Sequence, residues 1–150
     1  MATQFFTAVK RWGIGKTKDH PLYGWDSEYG SLTARIEEFG AAKYLVSNKE
    51  FFGFMEDRGY EKRDWWIEEG WNWKTYRNQT HPLFWIKEEK AYRFRALLEI
   101  MDMPWDWPVE VNYHEAKSFC NWKSAQSGKT LRLPTEEEWY RMRDIAEIPD

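Results

Sequence analysis

The chain is poor in the residues that most often announce chemistry. It has one cysteine, Cys120, in 150 residues, so no intrachain disulfide can form and the fold cannot depend on oxidation. Its three histidines, His20, His81 and His114, lie more than thirty residues apart. No His-x-x-x-His spacing occurs, so the sequence encodes no local imidazole cluster for a metal. Glycine-rich phosphate loops, a hydrolase nucleophile elbow and paired-cysteine zinc motifs are missing. No apolar run approaches the roughly 20 residues that span a bilayer, and the segment from Met1 to Trp12 lacks the basic and apolar regions of a secretory signal. A cytoplasmic location is the expectation. Charge is nearly balanced, 22 basic against 25 acidic residues, which gives no global pull toward nucleic acid or an anionic membrane. Repeats, low-complexity tracts and linkers are absent too, so one domain is expected.

Aromatic residues are abundant: 11 Trp, 8 Tyr and 9 Phe. Each buried ring removes a large apolar area from water, so a core can be built with few aliphatic side chains. An ordered chain is therefore expected despite a mean hydropathy of -0.85. Order also requires local start and stop signals, and these are frequent. Val109 and Val111 sit two apart, as on one face of a short strand over residues 108–111. Asn112 and Glu115 have the spacing of an N-cap and its reciprocating carboxylate, ahead of Ala116, Phe119 and Cys120. Gly128 supplies the stop, because glycine takes a left-handed conformation without a Cβ penalty. A short strand is expected at residues 130–133, followed by a second cap, Thr135 with Glu138, before Trp139 and Met142.

Upstream, residues 31–39 read as a strand with Leu32, Ala34 and Ile36 on one face. Ser47 and Glu50 form another capping box, opening a helix with Phe51, Phe52 and Met55 inward and Gly59 as its stop. Residues 64–73 suit one capped helical turn, and residues 81–87 and 92–98 short extended segments. Pro104 forbids a regular helix around it. In Tyr92-Arg-Phe-Arg95 charge and aromatics interleave as on a nucleic-acid surface, yet alternation along one strand explains the run equally well.

These motifs carry a resemblance. The run Pro108–Val111, Ala116–Trp122 with its Ala-x-x-Phe-Cys-x-Trp pattern, and Arg132-Leu-Pro-Thr-Glu-Glu-Glu-Trp139 resembles the signature of the formylglycine-generating enzyme (sulfatase-modifying factor) family. Asp102-Met-Pro-Trp-Asp-Trp-Pro108, Tyr44-Leu-Val-Ser-Asn48, Trp65-Trp-Ile-Glu-Glu-Gly-Trp71 and His20-Pro-Leu-Tyr-Gly-Trp-Asp26 are similar to the 5-histidylcysteine sulfoxide synthases of ovothiol biosynthesis. The likeness covers roughly residues 16–144. Residues 1–15 depart from it, Trp12-Gly-Ile-Gly15 keeping only a glycine, and read as a divergent N-terminal segment: a divergent first strand or the scar of a truncated gene.

The resemblance implies an α+β fold of the formylglycine-generating enzyme type, related to C-type lectins: few short strands, two or three helices and much ordered coil. It implies that residues 16–150 form only part of that domain. It further implies a fragment of an enzyme that uses Fe(II) and O2 to join the sulfur of L-cysteine to C5 of L-histidine as a sulfoxide. Here the fragment would be a scaffold or pocket wall, inactive alone. Its partners would be the missing iron-binding helical domain and the second half of this domain, with no nucleic acid and no membrane.

Within this chain no catalytic, cofactor-binding or metal-binding residue is assigned. His20 and His81 each precede proline and read as loop residues. Cys120, four residues after Ala116 on an apolar helix face, reads as a core residue rather than a nucleophile or copper ligand. Arg132 with Glu136–Glu138 reads as a structural ion pair. Trp65 and Trp66 are adjacent and cannot share a face, and Trp122 and Trp139 are expected to point inward. Trp71, Trp73, Trp105 and Trp107 remain as candidates to line a cleft. A stand-alone lectin-like module holding a small ligand is the alternative reading.

Overall fold

A computed structural model describes residues 3–89 and 91–145, with the backbone alone at 10–12. The strands are β1 (Thr3–Phe6), β2 (Val9–Ile14), β3 (Leu32–Ile36), β4 (Phe39–Ala42), β5 (Trp85–Lys87), β6 (Tyr92–Arg95) and β7 (Ile100–Asp102). The helices are α1 (Asn48–Glu56), α2 (Glu68–Tyr76), α3 (Tyr113–Ser127) and α4 (Glu136–Ile145). This is the expected α+β class; where one capped turn was foreseen at residues 64–73, a 3-10 turn at Arg63–Trp65 is followed, after extended Trp66 and Ile67, by the separate helix α2. Among the described residues no helix is long and apolar enough to cross a membrane. The chain divides into two compact units: residues up to Tyr44 with those from Pro134 onward, and Leu45–Leu133.

In the first unit β1 pairs antiparallel with β4, and β2 with β3. The divergent N-terminal segment thus supplies strands. Alternation places Ile36 inside at 3% exposure but leaves Leu32 at 58%, and β3 stops at Ile36, two residues before β4 begins. Phe6 lies opposite Phe39 in the register, and their rings stack at 4.9 Å. α4 packs against β2 and β3 and opens on the expected cap: Thr135 donates its N–H to Glu138 (2.8 Å), and Glu138 N–H reaches Thr135 Oγ1 (3.3 Å). This cap corrects the expected inward Trp139. Folding the Glu138 carboxylate back on Thr135 buries Glu138 at 7% exposure, and Trp139, about 100° further round the helix, is 51% exposed. The Arg143 guanidinium lies 5.9 Å from its ring centre.

The second unit is organised by α1. Ser47 Oγ accepts Glu50 N–H (3.2 Å) while the Glu50 carboxylate accepts Ser47 N–H (3.1 Å). The next two orphan donors of the helix, Asn48 N–H and Lys49 N–H, bond the carbonyls of Trp107 (2.8 Å) and Trp105 (2.9 Å). Replacing Ser47 by alanine is expected to cost about 1 kcal/mol and leave unfolding cooperative, as a denaturant titration followed by circular dichroism would show.

At the other end of α1 the left-handed residue is Arg58, with φ 60°, and not Gly59 as expected. Glycine is needed at 59 for a different reason. A Cβ there would lie 2.4 Å from the Phe54 ring. Gly128, by contrast, ends α3 as expected, at φ 67°, and Asn112 and Glu115 cap its start reciprocally.

Two predicted strands are absent. Residues 108–111 make one isolated bridge, Pro108 to Ser47, because the backbone just before them is committed to capping α1. Val109 and Val111 nevertheless pack on the core. Residues 130–133 form no ladder either: Leu131 donates its N–H to Ser124 Oγ (2.8 Å), a side-chain acceptor on α3. Among the described residues one sheet has three strands, β5-β6-β7; β5 and β6 lie where short extended segments were expected, and β7 falls outside them.

Phe51, Phe54, Tyr60, Trp66, Phe119 and Trp122 form the main core. Trp66 Nε1–H reaches Gly59 O and Trp122 Nε1–H reaches Asp57 Oδ2, both at 2.8 Å, so these two indoles each have an acceptor, whereas the buried Trp85 Nε1–H has none among the described residues. A second cluster holds Trp85, Phe94 and Met103.

Candidate functional site

The cap of α1 also builds a cleft. Phe52 stands beside the buried stripe of α1, turned away from Phe51 and Phe54. The bond from Lys49 N–H to the Trp105 carbonyl ties the Pro104–Trp107 turn to that helix, and the Trp105 ring lies 5.2 Å from Phe52. Tyr92 enters from β6, where pairing with Lys87 fixes its position, and its ring is 6.0 Å from Phe52. Buried Trp85 supports both outer rings, 5.3 Å from Tyr92 and 5.9 Å from Trp105. Lys87, Glu88, Glu89 and Ala91 complete an open cleft of about 410 Å³.

His81 flanks this cleft, its ring 5.8 Å from Tyr92. Burial, and then the Lys87 charge, hold its imidazole below the usual histidine range, against a backbone hydrogen bond with Trp85. The neutral ring is therefore favoured near pH 7. Burial also raises the Tyr92 phenol. Among the described lining residues the cleft offers aromatic rings, carboxylates and one ammonium, groups suited to holding a small ligand.

Of the four tryptophans named from the sequence, Trp105 borders this cleft. Trp107 stands edge-on to Phe94 at 6.2 Å, half exposed. Trp71 and Trp73 pack elsewhere, against the main core. Trp71 carries Lys74 at 4.7 Å and Arg63 at 5.7 Å, and Trp73 lies 5.7 Å from His114. Tyr92 and the acidic pair were missed. The cue for Tyr92 was its place at the start of the alternating Tyr-Arg-Phe-Arg run, on the same face as Phe94.

The donors for a metal are not brought together. Among the described residues no group of three His, Cys, Asp or Glu side chains could hold an ion. His20 Nδ1 accepts Leu22 N–H in its loop (3.2 Å), His81 Nδ1 faces Thr80 Oγ1 (2.8 Å), and His114 lies against Trp73 and Tyr113. These positions do not fit an iron centre. Cys120 is half-buried, and burial raises its thiol above the usual range, with Lys117 opposing in part, which disfavours the nucleophilic thiolate. Asp57 has the opposite environment. Lys62 at 2.8 Å, and then the Trp122 indole, hold its carboxyl below the usual range. It braces Trp122 and does not face the cleft residues.

Comparison with known proteins places these features in a family. Residues 14–142 match the sulfatase-modifying factor enzyme 1-like domain. The chain is 34% identical to hercynine oxygenase of Mycolicibacterium thermoresistibile over 124 residues, 82% of this chain and 26% of that protein. Identity to hercynine oxygenase of Mycobacterium tuberculosis is also 34%, over 77% of the chain and 26% of that protein. Against the inactive C-alpha-formylglycine-generating enzyme 2 of Bos taurus it is 28%, over 77% of the chain and 41% of that protein. The chain thus spans about a quarter of the length of the oxygenases it matches. A match over nearly the whole chain, on the fold described, identifies it: the chain belongs to the sulfatase-modifying factor enzyme 1-like domain family.

Proposed function

We propose that this chain is the scaffold and one pocket wall of an oxidative sulfoxide-forming enzyme, acting on L-cysteine and L-histidine with O2 as in ovothiol biosynthesis. The observation that carries the reading is the 34% identity to two proteins named as oxygenases. The Trp-rich motifs around Asp102–Pro108 and Trp65–Trp71, which resemble 5-histidylcysteine sulfoxide synthases, support the finer choice of substrates. The Fe(II) that the resemblance implies would be held by a separate helical domain, because His20, His81 and His114 do not converge here. What this chain contributes is shape: a capped helix, a strand pair and the Pro104–Trp107 turn that present Phe52, Tyr92 and Trp105 on a fixed frame.

The test is an assay of the purified chain with Fe(II), O2, cysteine and histidine, read by mass spectrometry. No 5-histidylcysteine sulfoxide is expected from the chain alone. Product formed by it unaided would overturn the scaffold role. A stand-alone lectin-like ligand-binding module is the second reading, favoured by the aromatic cleft. Saturable changes in tryptophan fluorescence with amino acids or sugars would support it.

A further inference from the structure

We infer that the free end of the β6–β7 hairpin is a docking surface for a second copy of this chain. Leu97 and Leu98 form its tip and are 96% and 94% exposed. The Ala96 N–H to Glu99 carbonyl bond (2.9 Å) closes the tip, and the Arg95 N–H to Phe84 carbonyl bond (2.8 Å) brings the residues leading into β5 beside it. Leu83, Phe84 and Ile100 therefore add exposed side chains to the same end of the sheet. A lone exposed leucine is ordinary. Five apolar side chains gathered at one end mark an association surface. The patch uses none of the cleft residues, and the inference does not depend on the oxidative reading above.

Charge selects the occupant. Arg95 ends β6 and Glu99 precedes β7, so unlike charges flank the leucines, one on each strand. Both are exposed, and neither has an ion-pair partner of its own among the described residues. An anionic bilayer or a nucleic acid would attract Arg95 and repel Glu99. A second copy turned by 180° about an axis normal to the sheet satisfies both. The β6 end of one hairpin then meets the β7 end of the other, so Arg95 of each copy faces Glu99 of the other across the packed leucines. Such a contact is isologous, each copy answering the groups the other supplies. The hairpin is fixed in advance by its ladder and by Arg93 Nη2–H on the Ile100 carbonyl (3.1 Å), which lowers the ordering cost. The patch is small beside a standard interface, so the dimer is a weak one, dissociating on the order of 100 μM.

Sedimentation velocity of the full chain over about 5–500 μM reads the association. The mean mass is expected to rise from that of the 18.3 kDa monomer toward twice that value. The double variant Leu97→Ser, Leu98→Ser changes only exposed side chains. It should keep the near-UV circular dichroism of the parent and associate about tenfold more weakly. Arg95→Glu and Glu99→Arg should each weaken self-association about tenfold. Mixed together, these two variants should associate as the parent does, because each restores the unlike pairs the other lost. A monomer at every concentration, a dimer indifferent to the leucine variant, or a mixture no stronger than its separate variants would each overturn the inference. Binding to vesicles of equal parts phosphatidylcholine and phosphatidylserine without self-association would overturn it in favour of a bilayer.

Discussion

Replacing Phe54 by alanine is expected to lower the unfolding free energy by about 3–5 kcal/mol. Phe54 is fully buried, at 0% exposure. Its ring meets Phe51 at 5.3 Å, Trp122 at 5.7 Å, Tyr60 at 5.9 Å and Phe119 at 6.2 Å. Removing it leaves a hole lined by four aromatic side chains. Such rings cannot collapse inward as aliphatic chains do, because each is held by its own neighbours. Two of those neighbours are also hydrogen-bonded, Trp122 to Asp57 and Tyr60 to Glu115. Chemical denaturation at constant m-value is the measurement, and a loss below about 1 kcal/mol would mean a core loose enough to repack.

The same ring explains Gly59, so the two positions should be coupled. Gly59→Ala alone is expected to cost about 1–3 kcal/mol through overpacking, since its Cβ would press on Phe54 at 2.4 Å. In the Phe54→Ala background that clash has no partner, and the cost should shrink toward zero. Strictly additive costs in the double variant would show that the chain around residue 59 shifts instead.

At Glu115 the expected result concerns pH. The side chain is 2% exposed. One carboxylate oxygen accepts the Tyr60 hydroxyl at 2.5 Å, and the other accepts Asn112 N–H at 3.0 Å. Burial pushes this carboxyl above its ordinary value of 4.5, while the two hydrogen bonds and neighbouring His114 hold it partly back. A group with a raised folded pKa binds more protons folded than unfolded, so its stabilising contribution is complete below the unfolded value and is lost as pH rises through the folded one.

Glu115→Gln keeps an acceptor for Tyr60 and cannot ionise. The wild-type unfolding free energy minus that of this variant should therefore fall between about pH 4 and about pH 7. A difference that stays flat or grows would remove desolvation as the dominant cause. Glu115→Ala should cost about 2–3 kcal/mol near pH 4, because the buried Tyr60 hydroxyl then has no acceptor, and its cost should fall toward pH 7 in step with that of the glutamine variant. Paired pH and denaturant titrations of the three proteins measure all of this.

Most of what the sequence made legible is local. Ser47 with Glu50, Asn112 with Glu115, and Thr135 with Glu138 each close a capping box, and Gly128 takes the left-handed stop. Side chain and backbone three residues apart meet there whatever surrounds them, so spacing alone is sufficient. Strand alternation was legible in the same way at Ile36 and Phe94. It failed at residues 108–111 and 130–133, because a strand is completed by a distant partner. In both cases the backbone found a different use, beside the α1 cap and on the Ser124 hydroxyl.

The site was the least legible part. The sequence offered a surplus of aromatics and no rule for ranking them. Trp66 at 3% and Trp139 at 51% exposure differ through packing that no short window contains. Trp105 borders the cleft because Lys49, 56 positions earlier, bonds its carbonyl, and Tyr92 reaches it through the register of a sheet. By itself, then, the sequence determined the α+β class, three helix starts, the Gly128 stop and the family, all carried by contacts within a few residues or by long motifs. Tertiary structure alone decided which rings are core and which are open, and why Gly59 must be glycine, since each depends on side chains brought together from distant parts of the chain.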